Sequence, residues 1–319
     1  MLSKRLAGIG RRHDFGTGGT TCRRIVGFAL VTMLMTKFAI QPAADEPISP
    51  PPQITTFIDE PSLRESSGLG SSRRMSDRFW SHNDSGGQPQ LFAFDTSGRS
   101  TGRCKLVGAS AVDWEDMACF RDETARILVA DCGDNERRRS NITLYVFDEP
   151  DPDQVTNIHE YETIHVTYSD GPQDCEAVAV DAARRQIIMV AKTAFPFAGI
   201  YGIDLPRRNQ IRGATSLARH VTAKRIGTLA LPMVSAMDID PHTGEIWVVN
   251  YFQCFRFPKE RKTDPVGKQM AAIPVSLAAP KWKQIEALGL DEAQNVWLTS
   301  EGSPTPFGRL IQTQHNSKP

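Results

Sequence analysis

A repeat with a period of 50 to 60 residues constrains the fold of this chain more than any other feature. Five segments share one template, in which an acidic or hydroxyl residue is followed by alternating small and large residues. They begin at Glu65, Glu115, Glu176, Ser235 and Glu286, with spacings of 50 (65 to 115), 61 (115 to 176), 59 (176 to 235) and 51 (235 to 286) residues. Alternation with a period of two is typical of a strand whose two faces differ.

Each of these five strands is followed by a second strand that ends in a polar residue. The five polar residues are Asn83, Asp131, Lys192, Asn250 and Ser300. Third strands follow in every unit, and fourth strands can be placed in all units but the last, where the chain ends. The isolated strand at 53–58 can supply the missing one. The sequence therefore predicts an all-β fold, a five-bladed β-propeller whose ring is closed by an N-terminal strand. Six blades are the alternative if the two longest spacings hide a further unit.

The first 44 residues are predicted to be an export signal. A basic leader precedes an apolar run at 25–40, and small residues follow it. Because this run is short for a spanning helix of about 20 residues, cleavage is favoured over an uncleaved N-terminal anchor. Residues 45–52 read as a proline-rich linker and 53–319 as a single propeller domain. We expect a periplasmic or secreted protein with no stable membrane span once the signal is removed.

Charge and cysteine content narrow the function classes. Lys plus Arg and Asp plus Glu are both 37, so the formal net charge is zero, whereas nucleic-acid binders normally carry a basic excess. We therefore expect no nucleic-acid partner. The chain has six cysteines, five of them after the signal, and no zinc-type spacing. Cys132 and Cys175 are predicted to lie close together, since one ends an inner hairpin and the other begins the next inner strand.

The repeated acids are predicted to converge on one rim of the propeller. In a hairpin, the start of the first strand lies beside the end of the second. Carboxylates converging on one axis repel each other unless a counter-charge is present, and calcium prefers a shell of 6 to 8 oxygen atoms. The predicted Ca²⁺ ligands are Glu65, Glu115, Glu176, Ser235 and Glu286. Alternatively, each glutamate caps backbone amides or pairs with Arg64 or Lys192.

Two resemblances support this interpretation. The order Glu, Glu, Glu, Ser, Glu over five units resembles the central calcium site of the animal calcium-activated nucleotidases (apyrases), which are five-bladed propellers. That family also uses a serine just before the first glutamate, where this chain has Arg64. Separately, the stretches His-Asn-Asp-Ser-Gly-Gly at 82–87 and Asp-Trp-Glu-Asp-Met-Ala at 113–118 are similar to those of a family of bacterial exported propeller proteins. That family has no function to transfer.

Polar residues at the ends of the second strands are the candidates for chemistry. The candidate catalytic residues are His82, Asp84, Asp131, Asp134 and Lys192, and the candidate ligand-binding residues are Asn83, Asn135, Asn250 and Ser300. Lysine and the nearby arginines suit an anionic ligand, while Asp and His suit acid–base chemistry. The competing interpretation is that the Asn, Asp and Gly residues serve only as turn formers.

These observations leave several functions open. The first is an exported calcium-binding module that binds a small anionic ligand or an extracytoplasmic partner. The second is a calcium-dependent hydrolase of phosphoanhydride or ester bonds, as the nucleotidase resemblance implies. A third, a carbohydrate-active propeller, needs a carboxylate pair, which Glu115 and Asp131 offer. Fold alone does not decide between an enzyme and a binding module.

Overall fold

The computed structural model describes residues 53–208, 218–261 and 263–310. The predicted export signal (1–44) and linker (45–52) lie outside the described residues. Within the described ranges the regular secondary structure is almost entirely β-strand, and the helical segment α1 (Val266–Gln269) has four residues. The predicted all-β class is therefore confirmed. In the part of the chain that the structure describes, no helix has the length and apolarity needed to cross a membrane.

The strands, in chain order, run as follows. The first seven are β1 (Gln53–Ile58), β2 (Ser66–Ser71), β3 (Arg78–Asn83), β4 (Gln90–Asp95), β5 (Ser100–Leu106), β6 (Trp114–Arg121) and β7 (Ala125–Asp131). The next seven are β8 (Ile142–Asp148), β9 (Val155–Ile158), β10 (Glu162–Tyr168), β11 (Cys175–Asp181), β12 (Gln186–Ala191), β13 (Ala198–Asp204) and β14 (Arg219–Leu229). The last seven are β15 (Val234–Ile239), β16 (Ile246–Asn250), β17 (Gln253–Phe257), β18 (Val275–Ala278), β19 (Ile285–Leu290), β20 (Val296–Ser300) and β21 (Thr305–Leu310).

Antiparallel pairing sorts twenty of these strands into five groups of four, which we call blades 1 to 5. Blade 1 is β2-β3-β4-β5, blade 2 is β6-β7-β8-β10, blade 3 is β11-β12-β13-β14, blade 4 is β15-β16-β17-β18 and blade 5 is β19-β20-β21-β1. The short β9 pairs in parallel with β5, and β10 pairs in parallel with β14. The contact between β10 and β14 joins the outer edges of blades 2 and 3, whereas β9 adds a fifth strand to the sheet of blade 1.

The innermost strands form a closed ring. Each first strand contacts the first strand of the next blade, in the order β2, β6, β11, β15, β19 and back to β2. The apolar core is correspondingly divided into five clusters, each lying between two neighbouring blades. For example, Trp80 and Leu91 of blade 1 pack with Met117 and Ile127 of blade 2. Large side chains fill these inter-blade spaces, as the alternating template predicts, and the propeller fold is confirmed.

The ring is closed by the strand nearest the N-terminus, as predicted. β1 pairs antiparallel with β21 over six residue pairs, from Gln53 opposite Leu310 to Ile58 opposite Thr305. Ile58 is buried in the cluster between blades 5 and 1, together with Phe307 and Leu69. Strands from the two ends of the described chain thus complete one sheet, which removes an exposed edge.

Removal of β1 should therefore open the ring. A chain that starts at residue 59 leaves the edge of β21 unpaired and exposes Phe307, so we expect a lower melting temperature and aggregation. The matched control starts at Gln53 and keeps the whole of β1. Thermal unfolding and light scattering measure the difference. Equal melting of the two chains would show that the closure contributes nothing to stability.

Candidate functional site

A β-bulge interrupts the inner hairpin of every blade at the same step. In each case the register between the first and second strands skips one residue, which is left without a partner in the ladder. The skipped residues are Ser67, Glu115, Glu176, Ser235 and Glu286. A bulge bends the strand and redirects the extra side chain. The five bulges therefore place one oxygen-bearing side chain per blade at the same rim of the ring.

This register corrects the repeat alignment in blade 1. The sequence template puts Glu65 at the step equivalent to Glu115, but the pairing of Ser66 with Asn83 and of Gly68 with His82 gives that step to Ser67. The template allowed both registers because Ser66, Ser67 and Gly68 show no contrast between large and small residues. Glu65 lies two residues earlier, where its carbonyl oxygen accepts a hydrogen bond from the Asp84 N–H at 2.9 Å.

The rim encloses a polar cavity of about 90 Å³ on the axis. Four of the five predicted metal ligands, Glu65, Glu115, Glu176 and Glu286, line it together. Asp84 and Glu301 add two more carboxylates, and Lys192 is the cationic side chain among the described lining residues. The remaining lining residues are Ser66, Ser67, Asn135, Tyr251 and Gln284. The sequence analysis identified neither Glu301 nor Tyr251, although each directly follows the polar residue that it placed at the end of a second strand.

The two serines at the bulges have a different role. The Ser235 hydroxyl donates to the Ile285 carbonyl oxygen at 2.7 Å, and Ser235 does not line the cavity. The Ser67 hydroxyl likewise donates to the carbonyl oxygen of Glu115 at 2.7 Å. Both serines thus tie their inner strand to that of the next blade. The structure brings the predicted glutamates together and leaves Ser235 outside their group.

Burial and mutual repulsion disfavour the charged forms of these glutamates. Glu115 and Glu176 are 5% and 3% exposed. Burial and the neighbouring Glu176 carboxylate raise the pKa of Glu115 well above its ordinary value. Burial also raises the pKa values of Glu176 and Glu286 to about 7, although Lys192 opposes the shift of Glu176 and Gln284 that of Glu286. The group therefore lacks enough positive charge to keep every carboxylate ionised.

Among the described lining residues, Lys192 supplies the positive charge that faces the carboxylates. Its Nζ lies 2.5 Å from Glu176 Oε1 and 5.8 Å from the centre of the Tyr251 ring. The pairing with Glu176 raises the pKa of Lys192 despite burial, so the ammonium stays protonated. This contact matches the alternative in which a ring glutamate pairs with Lys192. One ammonium still faces six carboxylates.

A second acidic group adjoins the first. Carboxylate oxygens of Asp84, Asp113 and Glu115 all lie within 4.8 Å of one another. Burial, with the Asp84 charge as the next contribution, raises the pKa of Asp113 to about 6. Gly133 fits against this group, since a Cβ there would lie 2.3 Å from Glu115 Oε1 and 2.4 Å from Asp113 Oδ2. Asp113 was not among the predicted site residues, although its position two residues before Glu115 was a usable signal.

The candidate catalytic residues divide into two sets. Asp84 and Lys192 line the cavity. His82 is fully buried, its Nδ1 lies 2.9 Å from the Asn83 carbonyl oxygen, and burial lowers its pKa to about 4. Asp131 is buried and accepts hydrogen bonds from two backbone N–H groups at 3.1 Å while it pairs with an arginine. Asp134 accepts two more backbone N–H groups at 2.9 and 2.8 Å. The structure therefore places His82, Asp131 and Asp134 in structural contacts.

The candidate ligand-binding residues also act mainly on the backbone. Asn83 Oδ1 accepts hydrogen bonds from the N–H groups of residues 64 and 65, at 2.8 and 3.1 Å. Asn250 Oδ1 accepts those of residues 252 and 253, at 3.1 and 2.9 Å. The buried Ser300 hydroxyl lies 3.3 Å from the Glu301 carbonyl oxygen. Asn135 alone of the four lines the cavity.

Further along the axis, ionisable side chains form hydrogen bonds between blades. Asp116 Oδ2 accepts hydrogen bonds from the backbone N–H groups of Val178 and Met237, at 2.8 and 3.3 Å, which belong to two other blades. Asp238 Oδ2 accepts the Leu290 N–H at 2.9 Å. Arg73 is 6% exposed, and its guanidinium donates hydrogen bonds to the carbonyl oxygens of residues 119 and 290, at 3.0 and 3.2 Å. The cavity therefore has a polar floor, which the sequence analysis did not predict.

Comparisons with known proteins extend only to the fold. No protein-family model matches the chain, and no curated protein matches it in sequence. Similar solved structures include a gluconolactonase from Xanthomonas campestris, at 10% identity and a TM-score of 0.44, which covers 77% of this chain and 72% of that one. A PQQ-bound aldose sugar dehydrogenase from Streptomyces coelicolor has 11% identity and a TM-score of 0.44, with 83% and 100% covered. A glucose dehydrogenase has 7% identity and a TM-score of 0.48, with 82% and 100% covered.

The raised pKa values predict how the metal-free protein responds to pH. In the unfolded chain the glutamates titrate near 4.5, whereas Glu176 and Glu286 titrate at about 7 in the folded state. Between these values the folded state holds more protons than the unfolded state, so stability falls as pH rises, by on the order of 3 kcal/mol per group at most. Urea unfolding in a chelator should show this loss between about pH 5 and 8.

The Glu286→Gln variant provides the control for this pH dependence. It removes one titrating group while retaining the side-chain volume, so its stability should change less with pH than that of the parent protein. A parent protein whose stability is constant or rises over this interval would contradict the electrostatic description of the cavity.

Proposed function

We propose that the protein is an exported binding module whose axial cavity holds a calcium ion. The observation that carries this proposal is the convergence on one cavity of three glutamates at the strand bulges and one that precedes β2; they are Glu115, Glu176, Glu286 and Glu65. Among the described lining residues, two further carboxylates and one lysine are the other ionisable groups at the cavity, apart from Tyr251. A divalent cation would offset this excess of negative charge, which otherwise opposes folding.

The donor set suits calcium. Among the described lining residues the donors are carboxylate, hydroxyl and amide oxygens, and none is a histidine or cysteine. Hard oxygen donors in number favour Ca²⁺ over zinc or copper. A volume of about 90 Å³ exceeds the 10–15 Å³ that one water occupies by the same type of measure. Room therefore remains for coordinated water or for oxygen atoms of a ligand.

A small anionic ligand is the proposed occupant above the ion. The Lys192 ammonium offers a hydrogen-bond donor at the cavity, and a bound cation would attract an anionic group. Binding is favoured over catalysis because His82, Asp131 and Asp134 are engaged in structural hydrogen bonds. Export, to the periplasm or the medium, is proposed from the N-terminal sequence pattern.

Calcium should stabilise the protein measurably. At a hundredfold excess over its dissociation constant, a ligand that binds only the folded state adds about 2.7 kcal/mol. We therefore expect chelation to lower the melting temperature and calcium to restore it more effectively than magnesium, which requires a tighter octahedral shell. Isothermal titration calorimetry and differential scanning calorimetry measure both effects.

Two variants make this test specific. Glu176→Gln removes a charge from the cavity and should weaken calcium binding at least tenfold. Glu123→Gln removes an exposed charge from a turn that does not line the cavity, so it should leave binding unchanged. Absence of calcium binding by the parent protein, or an equal loss in both variants, would refute the proposed site.

The calcium-dependent hydrolase remains the second candidate because Asp84 and Lys192 both face the cavity. It predicts calcium-dependent release of phosphate from nucleoside diphosphates or of nitrophenol from nitrophenyl esters, abolished in Asp84→Asn. A protein that binds calcium but releases neither product supports the binding module. Turnover that Asp84→Asn removes would replace it with the hydrolase.

A further inference from the structure

Cys132 and Cys175 lie side by side across the boundary between blades 2 and 3, as the sequence predicts. Cys132 directly follows β7, and Cys175 is the first residue of β11. Both residues are 0% exposed. The Cys175 N–H donates to the Cys132 carbonyl oxygen at 3.4 Å, and Cys132 Sγ lies 3.1 Å from the Cys175 carbonyl oxygen.

We propose that Cys132 and Cys175 form a disulfide bond in the mature protein. A backbone hydrogen bond between the two residues themselves limits their Cα separation to roughly the 4.4–6.8 Å in which disulfides occur. Both residues are thiols in this structure, so the bond requires an oxidation step.

The oxidation is an ordinary thiol–disulfide exchange. Two cysteine thiols lose two protons and two electrons and form one S–S bond, and the disulfide of an external oxidant is reduced to two thiols. Because exchange needs a thiolate and burial disfavours the thiolate, the bond forms while the interface between blades 2 and 3 is still open. Oxidising compartments supply such oxidants.

The position of the bond connects it to the acidic cavity. Cys132 precedes Gly133, whose backbone lies against the carboxylates of Asp113 and Glu115. Cys175 precedes Glu176, the bulge residue of blade 3. A covalent link between these two positions fixes the bulges that carry Glu115 and Glu176 relative to each other. The cross-link thus acts against the repulsion between the two carboxylates.

Mass spectrometry tests the bond directly. The purified full chain is folded in a buffer of reduced and oxidised glutathione, denatured in iodoacetamide and digested. We expect a peptide pair joined through Cys132 and Cys175 and alkylation of the other four cysteines, which are Cys22, Cys104, Cys119 and Cys254. Complete alkylation of Cys132 and Cys175, or a cross-link from either of them to another cysteine, would overturn the proposal.

Thermal unfolding provides a second readout with a matched control. Since the bond closes a loop from residue 132 to 175, dithiothreitol should lower the melting temperature of the parent protein by roughly 5–10 °C. The double variant Cys132→Ser/Cys175→Ser should show no such response, whereas Cys254→Ser should respond like the parent. An equal response of all three proteins would contradict the proposal.

This inference is independent of calcium, because both measurements are made in a chelator. It depends on the proposed export only for the natural oxidant, which glutathione replaces in the test. A protein that binds calcium but forms no bond therefore overturns the disulfide alone. A protein that forms the bond but binds no calcium overturns the proposed function alone.

Discussion

The structure depends on hydrogen-bond partners for the backbone groups at the inner edge of each blade. The first strand of each blade pairs on one side only, so its remaining N–H and C=O groups face the axis without a ladder partner. Some of these groups form hydrogen bonds with side chains of other blades, namely those of Asp116, Asp238 and Arg73. Ionisable side chains near the axis therefore link the blades, and they follow the acidic cavity along the inner strands.

Three of the carboxylates that line the cavity come from one irregularity, a β-bulge that recurs in every blade. At every bulge one residue leaves the ladder, and its identity decides what the rim contains. A serine at this step returns its hydroxyl to the next strand, as Ser67 and Ser235 do. A glutamate is directed into the cavity, as Glu115, Glu176 and Glu286 are. The same bulge position thus supplies a contact between blades where it holds a serine and a charge of the site where it holds a glutamate.

Polar residues beside the cavity illustrate why residue type alone does not reveal function. Asn83 and Asp131 end the second strands of blades 1 and 2, and both side chains accept two backbone N–H groups from the segment that leads into the first strand. They hold that segment in place, which positions Glu65 and Glu115. In blade 3 the register gives the equivalent place to Ala191, opposite Cys175. Lys192 follows at the step of Asp84, and its ammonium pairs with Glu176.

The sequence by itself determined the fold class and the inner strands, because the alternation of small and large residues within a strand is a local property. It also determined the closure by β1, since the last unit lacks an outer strand of its own. It also brought Glu115, Glu176 and Glu286 to one rim. Strand pairing in the folded protein alone decided that Ser67, and not Glu65, lies at the bulge, because the small residues that follow Glu65 fit either register. It alone also assigned Asp116 to the axis, because the amides that this carboxylate binds belong to blades distant in the chain.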